Sequence, residues 1–270
     1  MFFYLFFVLL HQNMMIMNRK TLFSGLLLAI SLAACTTHYQ VVGVERSRLL
    51  VDNRYDRQPD AEAAAFLAPF KHQVDSVMGP VMGRSARYMT ARRPEGTLSN
   101  LLADILVWGG KDYGEKPEFG IYNMGGVRAD LPKGIVTYGN ILDIAPFENR
   151  IAFASLTGAE VLELFGEIAA TGGEGVSSAV RLVITNDGKL VSATINGEPV
   201  DPEHLYRLTT IDYLLGGTDK MTTFKKCRDI NSPQDKKDNS RFIIMNYFKE
   251  KAAQGQEVDS QLEGRITVKE

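Results

Sequence analysis

A chain of 270 residues with 45% hydrophobic content and a formal net charge of −2 has the composition of a globular protein. It lacks the basic surplus that binding to nucleic-acid phosphates would require, so no nucleic-acid partner is expected. Its two cysteines also exclude a disulfide-stapled scaffold.

The N-terminus reads as targeting rather than fold. In "MNRKTLFSGLLLAISLAAC", Met17 to Cys35, two basic residues precede a short apolar run and small residues lead to a cysteine. That is the layout of an export signal, too short and wrongly flanked for a spanning helix. The ending "LAAC" resembles a bacterial lipobox, which implies cleavage before Cys35 and a lipid anchor on it. The competing reading is a soluble export signal with an incidental cysteine. "MFFYLFFVLLHQNMMI", ahead of Met17, reads as a misassigned translation start; a short membrane helix is the alternative, interrupted by His11, Gln12 and Asn13. The organisation is therefore a signal over 1–35, a polar lead-in over 36–60 and a folded region over 61–270. With Cys35 lipidated, Cys227 has no intramolecular partner.

In chain order, Asp60 caps a helix reaching about Gly79, with Ala64, Leu67, Val74 and Met78 at near-helical spacing. "VMGRSARYMT" alternates as a strand. Thr97 or Ser99 opens the helix "LSNLLADILVWGG", which Gly109 and Gly110 should stop, and "EFGIYN" is a short strand. "NRIAFASL" reads as a strand and "TGAEVLELFGEIAATGG" as a helix. "RLVITNDGKLVSATINGEPV" is a hairpin turning at "NDG", with a second turn at "NG". "YRLTTIDYLL" is a strand passing into a short helix, "DNSRFIIMNYFKEKAAQ" an amphipathic helix and "GRITVKE" a terminal strand. The charged stretch 225–239 is expected to be a solvated loop. This mixture of elements says α+β.

Self-contained chemistry is hard to place. The four histidines, His11, His38, His72 and His204, make no metal-binding spacing, and no HExxH, GxSxG or Walker-type motif occurs. His72 is expected at the surface. What stands out is a set of anion-binding and ring-binding side chains at turns. Arg92 and Arg93 precede "PEGTLSN", Arg128 closes "NMGGVR", Phe147 and Asn149 lie in "APFENR", and Tyr213 and Asp219 flank a glycine pair. Taken singly, each is more simply a solvated arginine or a core aromatic.

Taken in order, "RRPEGTLSNLLAD … NMGGVR … GIVTYGNILDIAPFENRI … YRLTTIDYLLGGTD" resembles the C-terminal, substrate-recognition domain of the 5′-nucleotidase family, from about Val81 to Ile211. The resemblance implies a four-layer α/β/β/α sandwich within the α+β class. It implies that Arg92 and Arg128 hold phosphate, that Asn123 and Asn149 lie near the nucleoside, that Phe147 and Tyr213 sandwich the base, and that Asp219 accepts from the ribose hydroxyls. Three departures stand out. The family usually has Gly-Gly-Asp-Gly-aromatic where this chain has "GGTDKM", so aligning the glycines puts Thr218 in place of Asp219. Ser178 and Pro94 also differ from common family residues.

Family enzymes place a two-metal phosphoesterase domain ahead of this one, and residues 36–80 cannot supply it. No cofactor is therefore expected in this chain, the divalent metals sitting in a separate metallophosphoesterase partner. The expected function is nucleotide recognition at a bacterial cell envelope, on the periplasmic side or the surface, with membrane attachment through the lipid. A stand-alone nucleotide-binding lipoprotein without catalysis is the main alternative.

Overall fold

The computed structural model of the protein describes residues 39–55 and 60–269; the signal, the alternative start and Cys35 fall outside them. The chain divides into two compact units, Met1–Pro59 and Asp60–Glu270. Residues 39–55 of the first form no α-helix or strand. No helix among the described residues is long and apolar enough to cross a membrane.

The second unit opens with α1 (Ala61–Met78), whose cap is the expected one: the Asp60 carboxylate accepts from the N–H groups of Glu62 and Ala63. The helical spacing holds, yet no residue of α1 is buried. β1 (Val81–Ser85) pairs antiparallel with β3 (Gly134–Thr137) in a two-stranded ribbon. Between them come α2 (Thr97–Gly109) and β2 (Phe119–Tyr122). The glycines at 109 and 110 do not end the helical path. It tightens into a 3-10 turn and stops at Gly114, where φ is 68°, a backbone angle that favours glycine.

After β3 come α3 (Tyr138–Ile144), β4 (Ile151–Thr157) and α4 (Gly158–Ala170). Thr157 and Glu160 cap α4 reciprocally through each other's backbone N–H. β5 (Gly175–Val176) leads to the expected hairpin, β6 (Val180–Thr185) with β7 (Leu190–Ile195), followed by β8 (Glu198–Pro199). β9 (Leu205–Ile211) runs directly into the short α5 (Asp212–Leu215). β10 (Arg228–Asn231), α6 (Ser240–Ala253) and β11 (Ile266–Lys269) complete the unit.

Two larger sheets result, one of order β10-β4-β9-β2-β5 and one of order β11-β6-β7-β8. The α+β class is as expected, with helices packed on both sheets. α2 sends Leu98, Leu101, Leu102, Ile105 and Leu106 into the core, where α6 adds Ile243, Ile244 and Phe248. Arg265, nearly fully buried, ties the C-terminal segment to α2: its guanidinium meets both Asp104 oxygens at 3.0 and 2.7 Å and donates to the Asn100 and Val176 carbonyls. Such a fork is stable under burial because nearly every donor finds an acceptor.

The charged stretch 225–239 is more than a loop. It contains β10, which pairs with β4 at the edge of the larger sheet. Charge on an edge strand guards against pairing with another chain, which is why its composition reads as solvated.

Candidate nucleotide-binding cavity

β2 is buried at every residue and delivers the chain straight to Asn123, after which Met124–Gly126 form one 3-10 turn. The glycine pair is explained by close approach rather than by backbone angle. A Cβ on Gly126 would lie 2.7 Å from Asn123 Oδ1, and one on Gly125 would lie 3.1 Å from Asp219 Oδ2. Neither glycine has a positive φ. The turn folds back on the Asn123 side chain, and only hydrogen fits between them.

Asn123 is almost fully buried. Its Nδ2 donates to Asp219 Oδ2, while its Oδ1 has no hydrogen-bond partner among the described residues. The orientation follows from charge, since only the amide nitrogen can satisfy a carboxylate. A buried acceptor without a donor costs about 1–3 kcal/mol, and this one stands in the wall of a cavity.

That cavity, about 420 Å³, is lined by Asn123, Gly125, Gly126, Arg128, Phe147, Asn149, Tyr213 and Asp219. Six of the seven substrate-binding residues expected from the sequence therefore share one space. Arg92 does not line it and is exposed on the loop before α2. Phe147 and Tyr213 are 42% and 43% exposed, so each ring has a face available for stacking. The Arg128 guanidinium carbon lies 5.1 Å from the centre of the Phe147 ring, a cation–π arrangement that leaves its donors available.

The Tyr213 hydroxyl donates to Asp219 Oδ1 at 3.2 Å. Of the two candidates in "GGTDK", Asp219 faces the cavity, whereas the Thr218 hydroxyl turns back to the Tyr213 carbonyl at 2.8 Å. Ser178 belongs to a different surface depression, lined with Val107, Glu118 and Arg181, so its departure from the family pattern leaves this cavity unchanged.

Two buried charges that sequence reasoning passed over hold the walls. Arg241, on α6, donates through Nε to the Ala145 carbonyl at 3.0 Å and through one terminal nitrogen to the Pro146 and Phe147 carbonyls at 2.9 and 3.2 Å. The same nitrogen meets Glu148 Oε1 at 3.3 Å. This one side chain fixes the loop that presents Phe147 and Asn149. The only sequence signal for it was an arginine just ahead of the apolar run "FIIM" in an amphipathic helix.

Glu174 is the counterpart under the glycine turn. One oxygen accepts from the Met124 N–H and the other from Arg93. Burial pushes its carboxyl above the usual range, opposed by those two donors. Tyr213 is positioned by Asp212, whose Oδ1 accepts from both the Arg150 and Tyr213 N–H groups at 3.0 and 2.8 Å.

Comparisons with known proteins give the family and the fold. Residues 76–226 match the model of the family "5′-nucleotidase, C-terminal domain". This chain belongs to that family. It is 33% identical over 105 residues to Protein UshA of Escherichia coli, covering 38% of this chain and 19% of that protein. It is 25% identical over 236 residues to Cell wall protein Lmo0130 of Listeria monocytogenes, covering 78% and 30%. Its fold is similar to the crystal structure of a 5′-nucleotidase precursor from Thermus thermophilus, with a TM-score of 0.66 and 25% identity, over 78% of this chain and 44% of the other. The chain thus spans less than half the length of each of these proteins.

Proposed function

We propose that this 5′-nucleotidase C-terminal domain binds a nucleotide, its base stacked between Phe147 and Tyr213 and its phosphate held by Arg128. The observation that carries this reading is the single cavity in which two half-exposed aromatics, an exposed arginine, two asparagines and a carboxylate converge. Stacking tolerates any base and contributes about 1–3 kcal/mol per base. A guanidinium fork suits a phosphate's several oxygens. Asn123 and Asn149 lie beside the nucleoside, and Asp219 accepts from sugar hydroxyls. Arg92 joins this reading only as a second, more distant contact to phosphate.

Among the described residues, no group of three or more His, Cys, Asp or Glu side chains could hold a metal ion. Hydrolysis in this reading belongs to a metallophosphoesterase partner bringing its own divalent metals, with this domain presenting the substrate. Lipid attachment at Cys35 would place the pair at the cell envelope, as suits a relative described as a cell wall protein. The competing arrangement, a stand-alone nucleotide-binding lipoprotein, uses the same cavity and differs only in having no catalytic partner.

Calorimetric titration of the full chain in detergent with adenosine monophosphate and adenosine tests the core of this reading. The nucleotide should bind more tightly than the nucleoside, and Arg128→Ala should abolish that difference. No binding of either ligand by the wild-type chain would refute it.

A further inference from the structure

A second cavity adjoins the first and shares Gly125 and Asp219 with it. It measures about 500 Å³, and its remaining walls include Arg93, Thr171, Glu174 and Lys220. Its unusual feature is the backbone at Asp219 and Lys220, where φ is 51° and 65°, two successive non-glycine residues in the left-handed region. Such conformations are uncommon for residues with a Cβ and persist where the surroundings or a function require them.

For Asp219 the requirement is visible, since Asn123 and Tyr213 both donate to its carboxylate. For Lys220 it is not. The lysine is exposed and makes no side-chain hydrogen bond or ion pair among the described residues. The sequence pattern sharpens the point, because with the Tyr213 to Asp219 spacing kept, Lys220 stands where the resembled motif has glycine. A residue suited to that angle has been replaced by a cation that nothing within the described molecule uses.

Across the cavity, Arg93 pairs with Glu174 yet keeps 44% of its side chain exposed, leaving further guanidinium donors toward the space. The two acids in the walls are already engaged. Glu174 accepts from Arg93 and the Met124 N–H, and Asp219 accepts from Asn123 and Tyr213. The donors without a partner in this space belong to Lys220 and Arg93, which suits an anion.

We propose that this second cavity is a phosphate subsite for a nucleotide that carries another phosphate on its sugar, such as a nucleoside 3′,5′-bisphosphate. The inference rests on the nucleotide reading above, because Asp219 stands between the two cavities at the place where that reading puts the sugar hydroxyls. Asp219 accepts from one hydroxyl of the sugar, and a phosphate on the neighbouring hydroxyl enters the space lined by Lys220 and Arg93. Lys220 is then the residue that sets specificity, and the 5′-phosphate contacts do not depend on it.

The test compares adenosine monophosphate with adenosine 3′,5′-bisphosphate by titration calorimetry on the full chain in detergent, as wild type and as Lys220→Gly. Glycine adopts φ near 65° freely, so the variant keeps the fold, and its affinity for the monophosphate reports that directly. The wild type should bind the bisphosphate about tenfold more tightly than the monophosphate, the effect of one added charge-assisted contact. In Lys220→Gly that preference should disappear while monophosphate affinity stays unchanged. Equal affinity for the two ligands in the wild type, or a preference that survives in the variant, would overturn the subsite and leave the nucleotide reading intact. Failure of the wild type to bind either ligand would refute both.

Discussion

The aromatic loop and the glycine turn form two walls of one cavity, and each is held from behind by a buried charge, but of opposite sign. Arg241 holds the loop at Phe147 through three backbone carbonyls and Glu148, while Glu174 holds the turn at Met124 through one N–H and Arg93. A guanidinium in that setting keeps its charge, because its donors are fixed in a fork and its proton is not lost in the working range. A carboxyl under the same burial does not, and Glu174 is pushed toward its neutral form. One wall is thus held by a fixed fork of donors, and the other by a carboxyl whose charge depends on pH.

The largest effect expected on this contrast comes from the aromatic wall. Arg241→Leu leaves the buried Ala145 carbonyl without its donor and frees the exposed Pro146 and Phe147 carbonyls, and should cost about 2–4 kcal/mol in chemical unfolding. A loss below about 1 kcal/mol would mean the loop holds its shape without the guanidinium.

Gly126→Ala comes next, since its Cβ would sit 2.7 Å from Asn123 Oδ1. Overpacking of this kind costs about 1–3 kcal/mol, and nucleotide binding should weaken with it. Gly125→Ala, with its nearest atom at 3.1 Å on Asp219, should be milder. The opposite ranking would show that the turn is not packed against Asn123.

Phe147→Ala and Tyr213→Ala should each weaken nucleotide binding by about 1–3 kcal/mol with little change in stability, because both rings are partly exposed. Tyr213→Phe should cost less, removing only the hydroxyl that donates to Asp219. Equal losses for Ala and Phe at 213 would assign the effect to the hydroxyl rather than to stacking.

The pH contrast itself is the subtlest. A carboxyl with a raised folded-state pKa contributes stability that is complete below its ordinary range and is lost as pH rises through the raised value. Glu174→Gln cannot titrate, so relative to wild type it should gain stability as pH goes from about 4 to 7. Unfolding midpoints across that range check this, and a difference that stays constant with pH would remove Glu174 as the tuned element. Arg241→Leu should show no comparable trend.

Much of this protein was legible in the sequence because it is governed locally. Asp60 at the head of an apolar-periodic run and the "NDG" turn between β-branched runs both act over a few residues. The elements they specify stand where the pattern put them. The order of glycine turn, aromatic loop and "DYLLGGTD" carried the family, and with it six residues that share the cavity.

What only the tertiary structure decided are relations between residues far apart in the chain. Arg241 reaches the loop at 145–148, Glu174 reaches Met124, and Asp219 rather than Thr218 meets Asn123. Spacing cannot reveal such pairs, since a buried charge and a solvated one are the same letter until the core closes around them. The glycine pair shows the same division. The sequence by itself determined that two residues without a Cβ follow β2. Only the folded chain decided why, by pressing the Asn123 and Asp219 side chains to within about 3 Å of where a Cβ would stand.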